Sequence, residues 1–245
     1  MGTILLPDTL ADFFQTNQDI LWLLTLALDL AFTVVMYRIF GRDGLLACIV
    51  LSILLANLQG PKLTTILGMQ TSLGVIFYSS IFFATDLLSE KYGREVANRA
   101  VMLGFSVSCI LVVMLTIALQ FLPTADPETA EFSLTIQKSF ENILNFTPRF
   151  VFGSLFAYLI SQSLDVWLFH WIKQKTNGRW LWIRNNGSTM ISQAVDTLLY
   201  SFVVWWGVVE LPTAIQLGMV KYAFKLAIAA FDTPFIYWAR SWKQH

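Results

Sequence analysis

Seven ionisable side chains stand within otherwise apolar stretches of this chain: Asp29, Asp86, Asp165, Asp196, Lys221, Lys225 and Asp232. A charge at membrane depth costs about 3 kcal/mol or more, so each of these needs a partner or a function. Two of them close a repeated pattern, Ser161-Gln162-Ser163-Leu164-Asp165 and Ser192-Gln193-Ala194-Val195-Asp196. Both read Ser-Gln-x-x-Asp. On a helix, Gln and Asp three residues apart share a face, so each segment presents an amide beside a carboxylate. Two such helices running antiparallel can face each other across a cleft, offering donors and acceptors to the edge of a small heterocycle or amide-bearing solute. Lys225, nearer the middle of its segment, adds an ammonium. The plainer alternatives are that Ser161, Ser192 and Gln162 bond a neighbouring helix and that Lys225 forms a structural ion pair with Asp196 or Asp165. Asp29 and Lys221 are weaker candidates, close enough to an interface to snorkel.

The elements that must position these groups follow from composition. Of 245 residues, 56% are hydrophobic and 13% charged, about half the charged share of a soluble domain. Segments 44–61, 63–85 and 100–125 carry no charge at all. With the runs broken by one or two charges, seven spanning helices are expected near 20–40, 44–58, 66–88, 98–122, 149–172, 188–210 and 213–239. The fold class is therefore all-α, a polytopic transmembrane helical bundle. Asn57-Leu58-Gln59-Gly60-Pro61 ends the second helix, Pro123 closes the fourth, and Thr147-Pro148 opens the fifth with a capping hydroxyl before proline. Within 123–148, Phe132, Ile136, Phe140 and Ile143 recur at helical spacing among Glu128, Glu131 and Glu141, which predicts an amphipathic helix on the membrane surface.

Several function classes are excluded at this level. Sixteen basic and sixteen acidic residues cancel, leaving no surplus to hold a phosphate backbone, so nucleic acid is not expected as a partner. Cys48 and Cys109 lie singly in apolar runs, and His170 and His245 are too far apart for a zinc motif. Neither a metal nor a cofactor is expected. No phosphate-binding GxxxxGK[ST] loop occurs, so the chain does not hydrolyse ATP by itself. The tryptophans at 167, 171, 180, 182, 238 and 242 read as an interfacial belt, and Phe77, Tyr78, Phe82 or Phe83 could stack on a flat solute, core packing being their ordinary role.

Alternating seven spans places eleven basic residues on one face: Arg38, Arg42, Lys91, Arg94, Arg99, Lys173, Lys175, Arg179, Arg184, Arg240 and Lys243. Lys62, Lys138 and Arg149 fall on the other. Basic residues near span ends are retained in the cytoplasm, which puts the C-terminus inside and the N-terminus outside. The first nineteen residues carry three aspartates and no basic residue, unlike the n-region of a cleaved signal peptide. With this orientation Asp86, Asp165 and Asp196 all fall toward the cytoplasmic half.

Ala84-Thr85-Asp86-Leu87-Leu88-Ser89-Glu90-Lys91-Tyr92-Gly93, followed by Arg184-Asn185-Asn186-Gly187-Ser188-Thr189 and Ser192-Gln193-x-x-Asp196-Thr197, resembles the queuosine precursor transporter family of bacterial inner-membrane proteins. The resemblance covers roughly residues 44–240. It implies uptake of a 7-deazaguanine base, such as 7-cyano-7-deazaguanine, its aminomethyl relative or a queuine-like base, for making queuosine in transfer RNA. It also implies a substrate site drawn from Asp86 and Glu90 as signature acids, Gln162 with Asp165, Gln193 with Asp196, Lys225, and the motif residues Arg184 and Asn185. Minimal members have six spans, so residues 1–43 become an extracytoplasmic tail with an additional N-terminal helix, and 44–245 a six-helix core. That arrangement gives Asp29 no evident role.

The expected function is thus a transporter, not an enzyme, in a bacterial inner membrane, whose partners are the base and the lipid bilayer, with a homo-oligomer as an option. Two other readings compete. One is a solute-binding subunit of an ATPase-driven vitamin-type transporter, since the six-helix outline is similar. The other is a membrane-embedded enzyme using Asp86 and Glu90 as paired acids.

Overall fold

The computed structural model describes residues 8–60, 62–144, 148–205, 207 and 210–242. Pro61, Thr147 with its expected capping hydroxyl, Lys243 and His245 lie outside the described residues. Among those described, the chain forms eight α-helices and one two-stranded hairpin. The helices are α1 (Asp8–Thr16), α2 (Gln18–Gln59), α3 (Tyr78–Lys91), α4 (Arg94–Ala118), α5 (Ala130–Leu144), α6 (Pro148–Lys175), α7 (Leu181–Tyr200) and α8 (Leu211–Arg240). The architecture is an all-α helical bundle. Four segments are long and apolar enough to cross a membrane by themselves: α2, the stretch Leu73–Lys91, α4 and α8.

Helix α2 is not one rod. At 42 residues it would run about 63 Å, twice the hydrocarbon thickness of a bilayer. Gly41 breaks it with φ 57° and ψ −132°, a combination that residues with a Cβ avoid. The chain reverses there. Asp29 and Thr25 consequently line one cavity with Ser52 and Leu55, and Cys48 lies against Thr33. The halves 18–40 and 42–59 correspond in position to the helices expected near 20–40 and 44–58, joined by a one-residue turn. Gly41→Ala is expected to cost about 1–3 kcal/mol of stability, read as a lower melting temperature of the detergent-solubilised chain.

The third expected span begins too early. Residues 66–72 belong to a β-hairpin, β1 (Leu63–Ile66) and β2 (Met69–Ser72), paired antiparallel in the register Leu63 to Ser72 and Ile66 to Met69. Leu67 and Gly68 both take positive φ, 52° and 73°, the geometry of a tight two-residue hairpin turn. Charge-free composition could not separate these threonine-rich strands from helix. Helical structure resumes with a 3₁₀ turn at Leu73–Phe77, which leads into α3.

The sixth expected span begins too late. Helix α7 begins at Leu181, and a five-residue π segment, Ser201–Trp205, continues it. Arg184, counted above among the basic residues at span ends, is fully buried there and paired with Glu90, and the buried Asn185 donates to Asp232. Helix α5 is the amphipathic helix anticipated between the fourth and fifth spans, with Phe132, Ile136, Phe140 and Ile143 all exposed as a surface helix requires.

The first half of α2 is an integral wall of the bundle. Asp29 Oδ2 accepts hydrogen bonds from Ser79 Oγ at 2.5 Å, Ser80 Oγ at 2.6 Å and the Ser80 backbone N–H at 3.2 Å. These donors lie in the first turn of α3, where unsatisfied N–H groups and the helix dipole favour an anion. Trp22 and Leu26 pack with Phe82, Phe224 and Ile228 of α3 and α8. Asp29 therefore clamps one helix to the start of another. Replacing it by Ala strands the buried Ser79 hydroxyl and removes one partner of Ser80, and is expected to cost about 1–3 kcal/mol, measurable as a loss of melting temperature in detergent.

Candidate functional site

Tyr78, Phe82, Asp86 and Glu90 recur every four residues on α3, so they form one slowly drifting stripe down the helix. Helices α6, α7 and α8 meet that stripe at three levels. At 1.5 Å per residue the first and second levels, at Tyr78 and Asp86, lie about 12 Å apart, and Glu90 about 6 Å beyond.

At the first level, Lys225 Nζ donates to Gln193 Oε1 at 2.7 Å and to the Asp196 carboxylate. Its ammonium sits 4.0 Å from the centre of the Tyr78 ring. Ser161 Oγ also donates to Asp196, at 3.2 Å. A cavity of about 270 Å³ reaches this level from the hairpin end, lined by Asn57, Gln70, Ser72, Tyr78, Asp196, Tyr200 and Lys221 among others. It is at the small end for ligand sites, about 300–1,000 Å³. Lys221 Nζ lies 3.6 Å from the Tyr200 ring centre, which makes it a wall of the entrance and not a snorkelling surface residue.

At the second level, Asp86, Asp165 and Asp232 come together, all at most 1% exposed. Asp165 accepts from Ser192 Oγ at 2.9 Å, and Asp232 accepts from Asn185 Nδ2 at 3.2 Å. Asp86 faces the Asp165 carboxyl. Neither of its oxygens receives a hydrogen bond from an amide, hydroxyl or ammonium group among the described residues. Gln162, also 1% exposed, has both amide atoms open, and the Nε2 of Gln193 is open as well. Buried polar atoms are ordinarily paired, so such a set of open ones marks a place built to meet something else.

At the third level, Glu90 gathers three cations: Arg184 at 2.8 Å, Lys173 at 2.9 Å and Arg240 at 3.1 Å. Arg184 is fully buried, bonds both Glu90 oxygens, and donates further to the carbonyls of Gly178 and Arg179. These contacts use four of the five N–H donors of Arg184 and both oxygens of Glu90. Glu90 and Arg184 therefore stand apart from the open groups, tying α3, α6, α7 and α8 together at the end opposite the hairpin.

The repeated Ser-Gln-x-x-Asp pattern acquires a geometric meaning here. Ser161 of α6 donates to Asp196 of α7, while Ser192 of α7 donates to Asp165 of α6. The two motifs clasp reciprocally, as an antiparallel pair with matching spacing must when its members face each other. The two aspartates thus mark separate levels. Asp196 was expected to share one half of the bundle with Asp86 and Asp165; it stands a level apart from them and borders the cavity at the hairpin end, because α7 starts earlier than composition indicated. Asp232 was named as an intramembrane charge but not assigned to the site. Its spacing of seven from Lys225 put it on the same helical stripe, the signal that could have found it. Of the candidate stacking rings, Tyr78 borders the cavity, Phe82 packs with Trp22 and Phe224, and Phe83 is core.

Residues 72–239 match the family model described as "Putative vitamin uptake transporter". The chain belongs to this transporter family. It is 34% identical over 220 residues to a Bacillus subtilis (strain 168) protein named "Probable queuosine precursor transporter", covering 89% of this chain and 93% of that one. It is 27% identical over 170 residues to the "Queuosine precursor transporter" of Escherichia coli (strain K12), covering 67% and 70% of the two. No solved structure matches the chain. Membership makes this a multi-pass membrane transporter and sets aside the enzyme reading. The matched segment contains the polar residues of the three levels except Arg240 and the cavity-lining Asn57 and Gln70, and leaves out the α2 hairpin that braces them.

Proposed function

We propose that this transporter imports a queuosine precursor, a 7-deazaguanine base such as 7-cyano-7-deazaguanine, its aminomethyl relative or a queuine-like base, across a bacterial inner membrane. The observation that carries the reading is the set of open buried atoms at Asp86, Gln162 and Gln193. A deazaguanine edge presents a ring N–H and an amino group as donors beside a carbonyl acceptor. The Asp86 carboxylate supplies the acceptors for the first two, and the glutamine amides supply donors for the third. A solute lacking that pattern leaves the same protein atoms unpaired and is rejected.

In this reading the base enters from the hairpin side, past Tyr78 and the Asp196–Lys225 pair, and the N-terminus is extracytoplasmic. The Glu90 cluster closes the cytoplasmic end in this state. Separating Glu90 from its three cations opens the inner path, and the hairpin end closes in exchange, giving alternating access at a fixed site. The test is a strain unable to make the base, carrying this chain as its sole importer and supplied with each candidate externally. Queuosine should appear in its transfer RNA with at least one of the three bases. Its absence with all three, in cells holding the chain in the membrane, would refute the assignment. Uptake by the purified chain alone in liposomes separates this mechanism from a subunit that needs a partner ATPase.

A further inference from the structure

The second level combines three carboxyl groups with no cation. Asp86 comes from α3, Asp165 from α6 and Asp232 from α8, and the electrostatic neighbours of Asp86 are the other two acids and Arg184. None of the three forms an ion pair among the described residues. The nearest cations are committed elsewhere. Lys225, one level above, is bound to Asp196 and Gln193, and Arg184, one level below, to Glu90 and two carbonyls.

A second feature is independent of the acids. Asn185, fully buried, spends its amide nitrogen on Asp232 and Thr233, while its carbonyl oxygen meets no donor. Asp232 Oδ2 and both Asp86 oxygens are open in the same way. Four of these open atoms are acceptors, and the open amide nitrogens of Gln162 and Gln193 serve the base's carbonyl in the reading above, so this buried site is short of hydrogens on polar atoms. Water excluded from it cannot supply them, and a neutral base supplies only the two that Asp86 can take.

Two species answer that deficit, a metal cation and a proton. A metal needs several oxygens converging at coordination distance. Among the described residues no three acidic or other ligating side chains are grouped closely enough to hold one. Protons placed on carboxyl groups meet the need without such convergence, each turning an acceptor into a donor toward a neighbouring oxygen.

We propose that the Asp86–Asp165–Asp232 level, with Asn185, is the proton-carrying site of this transporter and that one proton crosses with each base. This rests on the importer reading given above. A proton from the outer water binds one carboxylate as the base docks. Closure around an unpaired, dehydrated carboxylate is costly, so the loaded state closes once the proton is present. On the inner side the O–H bond breaks, the proton leaves to water and the carboxylate is regenerated. Asp232 holds the proton in this scheme and is the position to test, because Asp86 also touches the base.

The test uses the full purified chain in liposomes with labelled 7-cyano-7-deazaguanine and an internal pH-sensitive dye. An inward gradient of about one pH unit should concentrate the base about tenfold at one proton per base, and adding base without a gradient should acidify the lumen. Asp232→Asn should abolish both effects, and whatever base exchange it retains between equal internal and external pools should be indifferent to pH. Accumulation indifferent to pH, accumulation driven by a sodium gradient, or alkalinisation of the lumen would each overturn the proposal. If no base moves in any arm, the importer reading fails, and infrared spectroscopy of the same chain still decides the proton. A protonated-carboxyl band lost in Asp232→Asn supports the site, and the absence of such a band refutes it.

Discussion

Asp86→Asn is expected to lower uptake of a deazaguanine base by about a hundredfold while leaving the folded bundle at least as stable as before. The first figure follows from losing a charged acceptor for the base's donors, about 1.5–3 kcal/mol for one such hydrogen bond. The second follows from what Asp86 does not do. No amide, hydroxyl or ammonium donor among the described residues pairs with either of its oxygens, and a neutral amide of the same shape relieves crowding against the Asp165 carboxyl. Loss of transport without loss of stability is the signature of a group held for a ligand. Uptake in liposomes and thermal unfolding in detergent, measured on one preparation, check both halves. A variant that transports normally would remove Asp86 from the site. One that fails to fold would make it a structural acid.

Lys225→Met should behave in the opposite way, losing both transport and stability. Its ammonium is the cation paired with Asp196, a carboxylate only 4% exposed. Removing one partner of a buried pair costs about 3–5 kcal/mol because the other is left charged and dry. The double variant Lys225→Met with Asp196→Asn should recover most of that stability, since the stranded charge has gone, yet remain inactive. The coupling energy of the cycle, from melting in detergent, measures the pair. Additive losses in the double variant would show that the two side chains do not depend on each other.

These two expectations differ because the levels along α3 differ in how completely they are paired. The Glu90 cluster is saturated, the Asp196–Lys225 pair is half open through Gln193, and the Asp86 level is open. Charge in a membrane interior is tolerated in proportion to its pairing. The saturated level is therefore suited to holding helices together, and the open level to a passenger. The reciprocal serines at 161 and 192 fix the height of the two aspartates relative to each other.

Much of this was legible in the residues alone. Composition and spacing in the apolar stretches revealed the all-α class of a membrane bundle, and the break at Gly41 falls between two of the expected helices. Periodic phenylalanines and isoleucines disclosed α5, and the repeated Ser-Gln-x-x-Asp placed an amide beside an acid on each of two helices. Three features were not legible. The β-hairpin shares its lack of charge with the helix after it. The true start of α7 was hidden by polar residues whose burial depends on partners far along the chain, Glu90 and Asp232. The sorting of acids into an ion-paired level and an open one depends on helix register. A shift of one residue rotates a side chain by about 100°, and composition carries no information on that angle.

What the sequence determined by itself is the class of environment, a lipid bilayer, and the supply of polar groups within it, because both follow from local composition and periodicity. What only the tertiary structure decided is which acid meets which cation. Asp196 finds Lys225, Glu90 finds Arg184, and Asp86 finds neither. Those pairings are set by how helices distant in sequence cross and rotate against one another, and the pattern of open atoms that a substrate would read exists only after that packing is complete.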